Sequence, residues 1–176
     1  VYADTVAPLV TRASSSPRSV TVLMYGQTGS GKTYTMSAIL EATARDVFAM
    51  VDQSRGDTVS MSYAELGPSG CRDMLNGGAP CQPLTDHAGD VQLVPTVEVA
   101  LTSSSGLLAL IQFAGSLRAT AATGVHDASS RSHAICRVCI QRGDAAAGEC
   151  GVITLVDLAG SEQRIDSDKH DAKRTR

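Results

Sequence analysis

The residues best suited to chemistry are Gly26 to Thr33, whose sequence GQTGSGKT matches the pattern of a phosphate-binding loop. Its glycines let the backbone curl so that successive N–H groups face phosphate oxygens. Lys32 can reach the β- and γ-phosphates as a point charge, and the Thr33 hydroxyl can ligate Mg²⁺. The pattern therefore predicts a site for a nucleoside triphosphate and its magnesium ion.

The flanking residues predict the strand and the helix that such a loop requires. Val20 to Tyr25 is a β-prone apolar run, which we interpret as a buried strand. From Lys32 to Val51 apolar residues recur at helical spacing, and the start of this helix adds its positive end to the site. Strand, loop and helix in this order favour the phosphate-binding loop over a plain glycine-rich turn.

Two later stretches could sense the same nucleotide. Ser129 to His133 reads SSRSH, and a hydroxyl cluster of this kind can ligate Mg²⁺ and touch a γ-phosphate. Asp157 to Glu162 reads DLAGSE, with the acid near the end of the apolar run Val152 to Leu158. Taken singly, the two stretches also fit a serine-rich surface loop and a turn after a strand. Their order after the phosphate loop favours nucleotide sensing.

Composition sets limits on the class of protein. The 176 residues are 43% hydrophobic and 19% charged, which suits one globular domain or part of one. The net charge of −3 provides no basic field for nucleic acid, and no apolar run is long enough to span a membrane. Val1 to Asp4 does not resemble the start of a signal peptide, and the missing initiator Met suggests a fragment.

Five scattered cysteines argue against a disulfide scaffold and for a reduced, intracellular compartment. Cys136 and Cys139 form a C-x-x-C motif that could indicate zinc or redox chemistry. However, they lie in a predicted strand, Ala134 to Gln141, where a spacing of three points the thiols to opposite faces. We therefore favour ordinary buried or half-buried thiols.

The rest of the chain alternates between predicted helices, strands and loops. Pro8 suits the first turn of a helix within Val1 to Arg12. The other predicted elements are a loop at 14–19, strands at 57–66, 91–94 and 96–99, a helix at 106–117 with N-caps in 102–105, and a long loop at 120–132.

The three motifs GQTGSGKTYTM, SSRSH and LVDLAGSE together resemble the kinesin motor domain, matching its phosphate loop, switch I and switch II. Myosins share this plan but differ at both switches, so the resemblance is specific to kinesins. It implies an α/β P-loop NTPase fold with a largely parallel or mixed central sheet and helices on both faces. Residues 1–176 would then be a partial motor domain, truncated at both ends, with switch I at 126–133 and switch II at 157–162.

The resemblance also implies a role for each matching residue. Tyr34 would lie against the adenine, Arg131 would pair with Glu162, and Asp157 would hold the Mg²⁺ shell through water. Nucleotide binding would involve Gly26, Gln27, Thr28, Gly29, Ser30, Gly31, Lys32, Thr33 and Tyr34. Hydrolysis would involve Ser129, Ser130, Arg131, Gly160 and Glu162. The Mg²⁺ ligands would be Thr33, Ser130 and, through water, Asp157.

The implied function is an ATPase, using ATP and Mg²⁺, that converts hydrolysis into movement along microtubules. Its partner would be tubulin rather than nucleic acid or membrane, and its place the microtubule cytoskeleton in the cytoplasm. Two alternatives stay open: a non-motile, nucleotide-gated protein that binds or depolymerises microtubules, and an inactive fragment.

Several positions depart from the family. His126 stands where Asn is usual, and Gln163 stands where Arg is usual. Residues 63–68 replace most of an E-I-Y-N-E-like stretch, and the insertion in the helix after the phosphate loop is nearly absent, so inhibitors that use it should not bind. Truncation of the motor domain at both ends would leave unpaired strand edges and apolar faces exposed, so we expect this chain to be unstable alone. The last residues form a basic tail that could contact tubulin's acidic surface or be a solvated loop. Its basic residues are Arg164, Lys169, Lys173, Arg174 and Arg176.

Overall fold

The computed structural model describes residues 1–85, 89, 91–120, 131–146 and 149–161, with the side chains of 119 and 120 excepted. It contains three α-helices: α1 (Ala7–Ser15), α2 (Lys32–Met50) and α3 (Ser104–Thr120). The strands are β1 (Ser19–Met24), β2 (Thr58–Gly67), β3 (Gly70–Asp73), β4 (Ala79–Thr85), β5 (Val91–Val94), β6 (Val99–Leu101), β7 (His133–Gln141) and β8 (Cys150–Asp157). Among these residues no helix is long and apolar enough to cross a membrane.

The strands form a mixed sheet in the order β1-β8-β7-β2-β3-β4-β5, with β6 paired to β2. Only β1 and β8 run parallel among the described pairs, and the others are antiparallel. The predicted α/β fold with a mixed sheet is therefore confirmed. The parallel pair matters for the site, because it brings the carboxyl ends of β1 and β8 together, with Met24 opposite Asp157.

The hydrophobic core lies between this sheet and the helices. The strand register places Met61, Val138, Ile153 and Val20 in one row across four strands, and all four are buried. The described parts of α1, α2 and α3 pack on this same face. Their buried contributions are Val10 and Ala13 from α1, Met36, Ile39, Leu40, Ala44 and Val47 from α2, and Leu107 and Ala114 from α3.

Three predicted elements need correction. The strand at Val20 to Tyr25 is predicted to be buried, but among the described strands β1 lies at the end of the sheet with alternating burial, and Leu23 is 57% exposed. The helix predicted at 106–117 extends over Ser104–Thr120, and the Gly106 N–H donates to Ser103 Oγ at 3.1 Å. The strand predicted at 96–99 begins only at Val99. Val97 is not part of a strand, because its N–H donates to the side-chain carboxylate of Asp73 (Oδ2, 2.7 Å) and not to a backbone carbonyl of a neighbouring strand.

The predicted strand geometry of Cys136 and Cys139 is confirmed. Cys136 points into the core and Cys139 lies half-buried on the other face of β7. Burial raises the pKa of Cys136 to about 12, so its thiolate is scarce at neutral pH. All five cysteines are free, and the described residues contain no group of three or more metal-ligating side chains.

Asp57 joins the ends of several elements on the side of the sheet away from the carboxyl end of β8. Its carboxylate accepts the backbone N–H groups of Gly143 and Asp52, both at 2.9 Å, and lies 3.0 Å from Arg142 Nη1. The Gly143 hydrogen bond is the main cause that lowers the pKa of Asp57, and burial opposes it. Asp57 therefore stabilises the folded chain as a carboxylate.

We expect Asp57→Ala to reduce the free energy of unfolding at pH 7 by about 2 kcal/mol, because two backbone donors lose their acceptor. A lowered folded-state pKa means that this contribution is present above the unfolded-state pKa of about 3.9 and is lost as pH falls through the folded-state pKa. The deficit of the variant should therefore shrink below about pH 4. Denaturant unfolding at pH 7 and pH 3 measures it, with exposed Asp144→Ala as the control, and a deficit independent of pH would contradict the assignment.

Candidate functional site

The site lies at the carboxyl ends of β1 and β8. From β1 the chain enters the loop 26–31 and then α2, and from β8 it continues into residues 158–161. In open α/β sheets, ligands bind outside the carboxyl ends of parallel strands. The region between these two exits is therefore the expected position for a ligand.

The three glycines of the loop have positive φ values that other residues rarely adopt, and that of Gly29 is 80°. Gly26 has a φ of 154°, and a Cβ atom there would lie 2.8 Å from Ser30 Oγ. Gly31 has a φ of 86° and is the N-cap of α2, where it provides no capping side chain. The first N–H groups of α2 therefore have no side-chain acceptor there, and together with the positive helix end they can bind an anion.

The Lys32 ammonium group is held over the loop. Its Nζ donates to the carbonyl oxygens of Gly26 and Gln27, each at 2.8 Å. Within the described part of the chain, no carboxylate forms an ion pair with it. Because neutral carbonyls hold the ammonium group, it can exchange them for phosphate oxygens without breaking a salt bridge.

Thr33 and Asp157 form the contact that joins the two exits. The Thr33 hydroxyl donates to Asp157 Oδ2 at 2.7 Å. This hydrogen bond uses the hydroxyl proton and leaves oxygen lone pairs free for a cation. Asp157 is 6% exposed, and its Oδ1 has no hydrogen-bond partner in the described part of the structure. A buried carboxylate oxygen without a donor fits a water molecule of a hydrated Mg²⁺ ion.

Residues 158–161 run alongside the phosphate loop. The Leu158 N–H donates to the Met24 carbonyl at 3.2 Å, and the Ser161 N–H donates to the Gly26 carbonyl at 3.1 Å. Gly160 therefore lies beside the loop.

The SSRSH stretch reaches the same place through its last residue. The Ala159 N–H donates to His133 Nδ1 at 3.0 Å. His133 is the first residue of β7, so the end of the SSRSH stretch is hydrogen-bonded to the third residue of the DLAGSE stretch. All three motifs thus converge, each with at least one described residue.

The structure brings together most of the predicted site residues that it describes. Gly26, Lys32, Thr33, Asp157 and Gly160 lie close together at the carboxyl ends of β1 and β8, whereas the side chain of Tyr34 is 85% exposed on α2. Arg131 is exposed, and its predicted partner Glu162 lies outside the described residues. Also outside them are Ser129, Ser130, His126, Gln163 and the basic tail. Their roles stay predictions.

Sequence reasoning missed a buried polar cluster next to these residues. Arg118 Nη1 lies 3.8 Å from Asp157 Oδ2, and Arg118 also contacts Glu65 and Ser132. One signal was available: Arg118 falls at the end of an otherwise apolar helical pattern, and Glu65 falls in an apolar strand. Charged residues at such positions usually have buried partners.

Comparison with known proteins agrees with this geometry. A family model described as the kinesin motor domain matches residues 1–176. The chain is 38% identical to diatom spindle kinesin-1 of Cylindrotheca fusiformis, over 99% of this chain and 28% of that protein. It is 32% identical to kinesin-like protein tea2 of Schizosaccharomyces pombe, over 93% of this chain and 28% of that protein.

A solved structure of a fast kinesin has the same fold, with a TM-score of 0.79 and 25% sequence identity. The similarity covers 93% of this chain and 50% of that one. The chain therefore spans about half of the solved kinesin and only 28% of the length of the diatom and yeast relatives.

Proposed function

Because the chain belongs to the kinesin motor domain family, we propose that it forms the ATP-binding and ATP-hydrolysing core of a kinesin-like microtubule motor. The observation that best supports this proposal is the 2.7 Å contact between Thr33 Oγ1 and Asp157 Oδ2. It pairs the hydroxyl of a phosphate loop with a carboxylate at the end of the parallel partner strand, 124 positions later. This is the arrangement that phosphoryl transfer requires around its metal ion.

In the proposed complex the phosphates lie in the loop 26–33. The N–H groups at the start of α2 face the phosphate oxygens. Lys32 exchanges its contacts with the Gly26 and Gln27 carbonyls for the β- and γ-phosphates. Tyr34, exposed one residue after the loop, offers its ring to the adenine.

Mg²⁺ would be held by oxygen atoms of this chain. Thr33 would ligate it directly while its hydroxyl still donates to Asp157 Oδ2, and Asp157 Oδ1 would accept from a water of the ion's shell. Ser130 would complete the protein ligands. When bound, the ion neutralises phosphate charge and fixes the phosphate geometry.

Hydrolysis itself is an in-line attack of water on the γ-phosphorus, which breaks the bond to the oxygen bridging the β- and γ-phosphates. The chain's contribution is positioning and charge stabilisation, which can supply most of the rate gain in such reactions. We assign orientation of the water to Ser129 and Ser130, and a hydrogen bond to the γ-phosphate to the Gly160 N–H. Pairing of Arg131 with Glu162 would close the site around the water.

Loss of the γ-phosphate would then be transmitted through residues 158–161. The backbone N–H groups of this segment donate to the Met24 and Gly26 carbonyls and to His133 Nδ1, so a shift at Gly160 alters contacts with both other motifs. Coupled changes of this kind can move attached elements. In the proposed motor, that movement changes the affinity for microtubules. The proposed location of the protein is therefore the microtubule cytoskeleton.

The test is phosphate release from MgATP by the full-length protein, with and without microtubules. We expect basal release that rises at least about 10-fold on saturating microtubules, because a motor couples its site to its track. Microtubule gliding in the same preparation would support the motor, and filament shortening without gliding would support a depolymerising protein. Release that is insensitive to microtubules would contradict the proposed coupling. Failure to bind ATP would indicate an inactive chain.

A further inference from the structure

Arg118, in the last turn of α3, is the centre of a buried polar cluster next to the proposed site. It is 8% exposed, and its Nη2 donates to the Ser132 carbonyl at 2.7 Å and to Ser132 Oγ at 3.2 Å. Its Nε lies 3.3 Å from Glu65 Oε1, which also accepts the Ser132 hydroxyl at 2.7 Å. One guanidinium therefore binds α3, β2 and the residue before β7 together.

The same guanidinium reaches the carboxylate that contacts the phosphate loop. Arg118 Nη1 lies 3.8 Å from Asp157 Oδ2, and this oxygen accepts the Thr33 hydroxyl at 2.7 Å. Ser132 directly follows Arg131 in the SSRSH stretch. Arg118 thus connects the Ser132 carbonyl with Asp157, the residue proposed to hold the Mg²⁺ shell.

Stability alone does not account for this cluster. Two carboxylates, Glu65 and Asp157, share one guanidinium, and all three side chains are about nine-tenths buried. Buried ions lose hydration, and well-packed apolar residues of similar volume are often as stable or more stable. What the planar fork of an arginine supplies, and an apolar side chain does not, is fixed geometry among several acceptors.

We propose that Arg118 is a positioning residue for ATP hydrolysis, which fixes Ser132 and Asp157 relative to each other across the site. This inference rests on the proposed ATPase function. Arg118 acts through its neighbours, because its described partners are Glu65, Ser132 and Asp157 rather than residues of the phosphate loop. Nucleotide affinity should therefore depend on the loop, and the rate of the chemical step should depend on Arg118.

In the full-length protein we expect Arg118→Gln to lower kcat by about 10- to 100-fold, while KM for MgATP changes less than about threefold. Arg118→Lys keeps the charge near the two carboxylates but loses the fork, so it should recover part of kcat. Hydrogen exchange of the backbone amides at residues 132–134 should also be faster in Arg118→Gln.

Arg142 offers a matched control on the other end of β7. It forms an ion pair with Asp57 at 3.0 Å and its Nη1 lies 3.2 Å from the Met50 carbonyl, away from the phosphate loop. Arg142→Gln should lower thermal stability, yet leave kcat within about twofold of the unsubstituted protein at temperatures well below melting, because its partners lie outside the proposed site.

Equal losses of kcat in the two arginine variants, or a change in KM alone for Arg118→Gln, would overturn the inference and leave the proposed function intact. Absence of ATP hydrolysis in the unsubstituted protein would overturn the proposed function and, with it, the catalytic meaning of Arg118. The exchange measurement distinguishes these cases, because it reports on the link from Arg118 to Ser132 without requiring turnover.

Discussion

Lys32→Ala should reduce ATP hydrolysis by about 10²- to 10³-fold or more, the loss that follows removal of one positioned donor from a charged transition state. Lys32 Nζ lies over the loop, where its hydrogen-bond acceptors among the described residues are the neutral Gly26 and Gln27 carbonyls. No other lysine is close in sequence, since the remaining two are Lys169 and Lys173. The charge on the β- and γ-phosphates would therefore have no replacement from a neighbouring lysine.

The same variant should keep the stability of the ligand-free protein and lose its stabilisation by nucleotide. The carbonyl oxygens that Lys32 releases lie on a mostly exposed loop, where water can replace the ammonium group. Ligand at 100 times its Kd stabilises a protein by about 2.7 kcal/mol, and this gain should largely disappear. Thermal unfolding with and without MgATP measures both terms.

Two further variants sharpen this test. Arg45→Ala removes one positive charge from the exposed side of the same helix, α2, and should leave both hydrolysis and the nucleotide-dependent gain unchanged. Lys32→Arg keeps the charge but replaces a compact ammonium with a planar fork, so it should recover little activity. Hydrolysis by Lys32→Ala at the rate of the unsubstituted protein would exclude the loop as the phosphate site.

The parts of this molecule that sequence predicts well are those in which the determining residues are consecutive. The loop 26–33 and the helix after it are of this kind, and the helix predicted from Lys32 to Val51 is observed at Lys32–Met50. Periodicity and glycine placement act over a few residues, so they can be read without knowing the pairing of the strands. β4 was missed for a related reason: Pro80 and Pro83 interrupt its pattern, and proline is uncommon within strands.

The cluster around Arg118 could not be found in the same way. Its contacts with Ser132 and Glu65 join residues 14 and 53 positions apart, and they exist because β7 lies between β2 and β8. Only the sheet order places these side chains together. Likewise, the resemblance assigned a role to Asp157, but the register of β1 and β8 is what places it beside Thr33. Local patterns identify the parts of the site, and long-range pairing decides which groups touch.

Asp157→Asn should separate activity from stability. The substitution keeps the shape of the side chain, and the amide oxygen can still accept the Thr33 hydroxyl. It removes the negative charge and, in that orientation, turns the position of the unpartnered Oδ1 into an N–H donor, which cannot accept from a metal-bound water. We expect hydrolysis to fall by about 10²-fold or more and the half-saturating Mg²⁺ concentration to rise.

The free energy of unfolding should not fall in parallel. In the buried cluster, Glu65 and Asp157 share the single positive charge of Arg118, so the substitution leaves a balanced pair, Arg118 with Glu65. Because no buried charge is left unpaired, we expect the substitution to be neutral or stabilising, as for a residue whose function reduces stability. Asp144→Asn, on an exposed turn, is the control that should change neither quantity.

In excess EDTA, which removes Mg²⁺, the nucleotide affinity of Asp157→Asn should equal that of the unsubstituted protein. A variant that loses stability as well as activity would show that Asp157 mainly supports the fold, and unaltered Mg²⁺ dependence would exclude it from the metal shell.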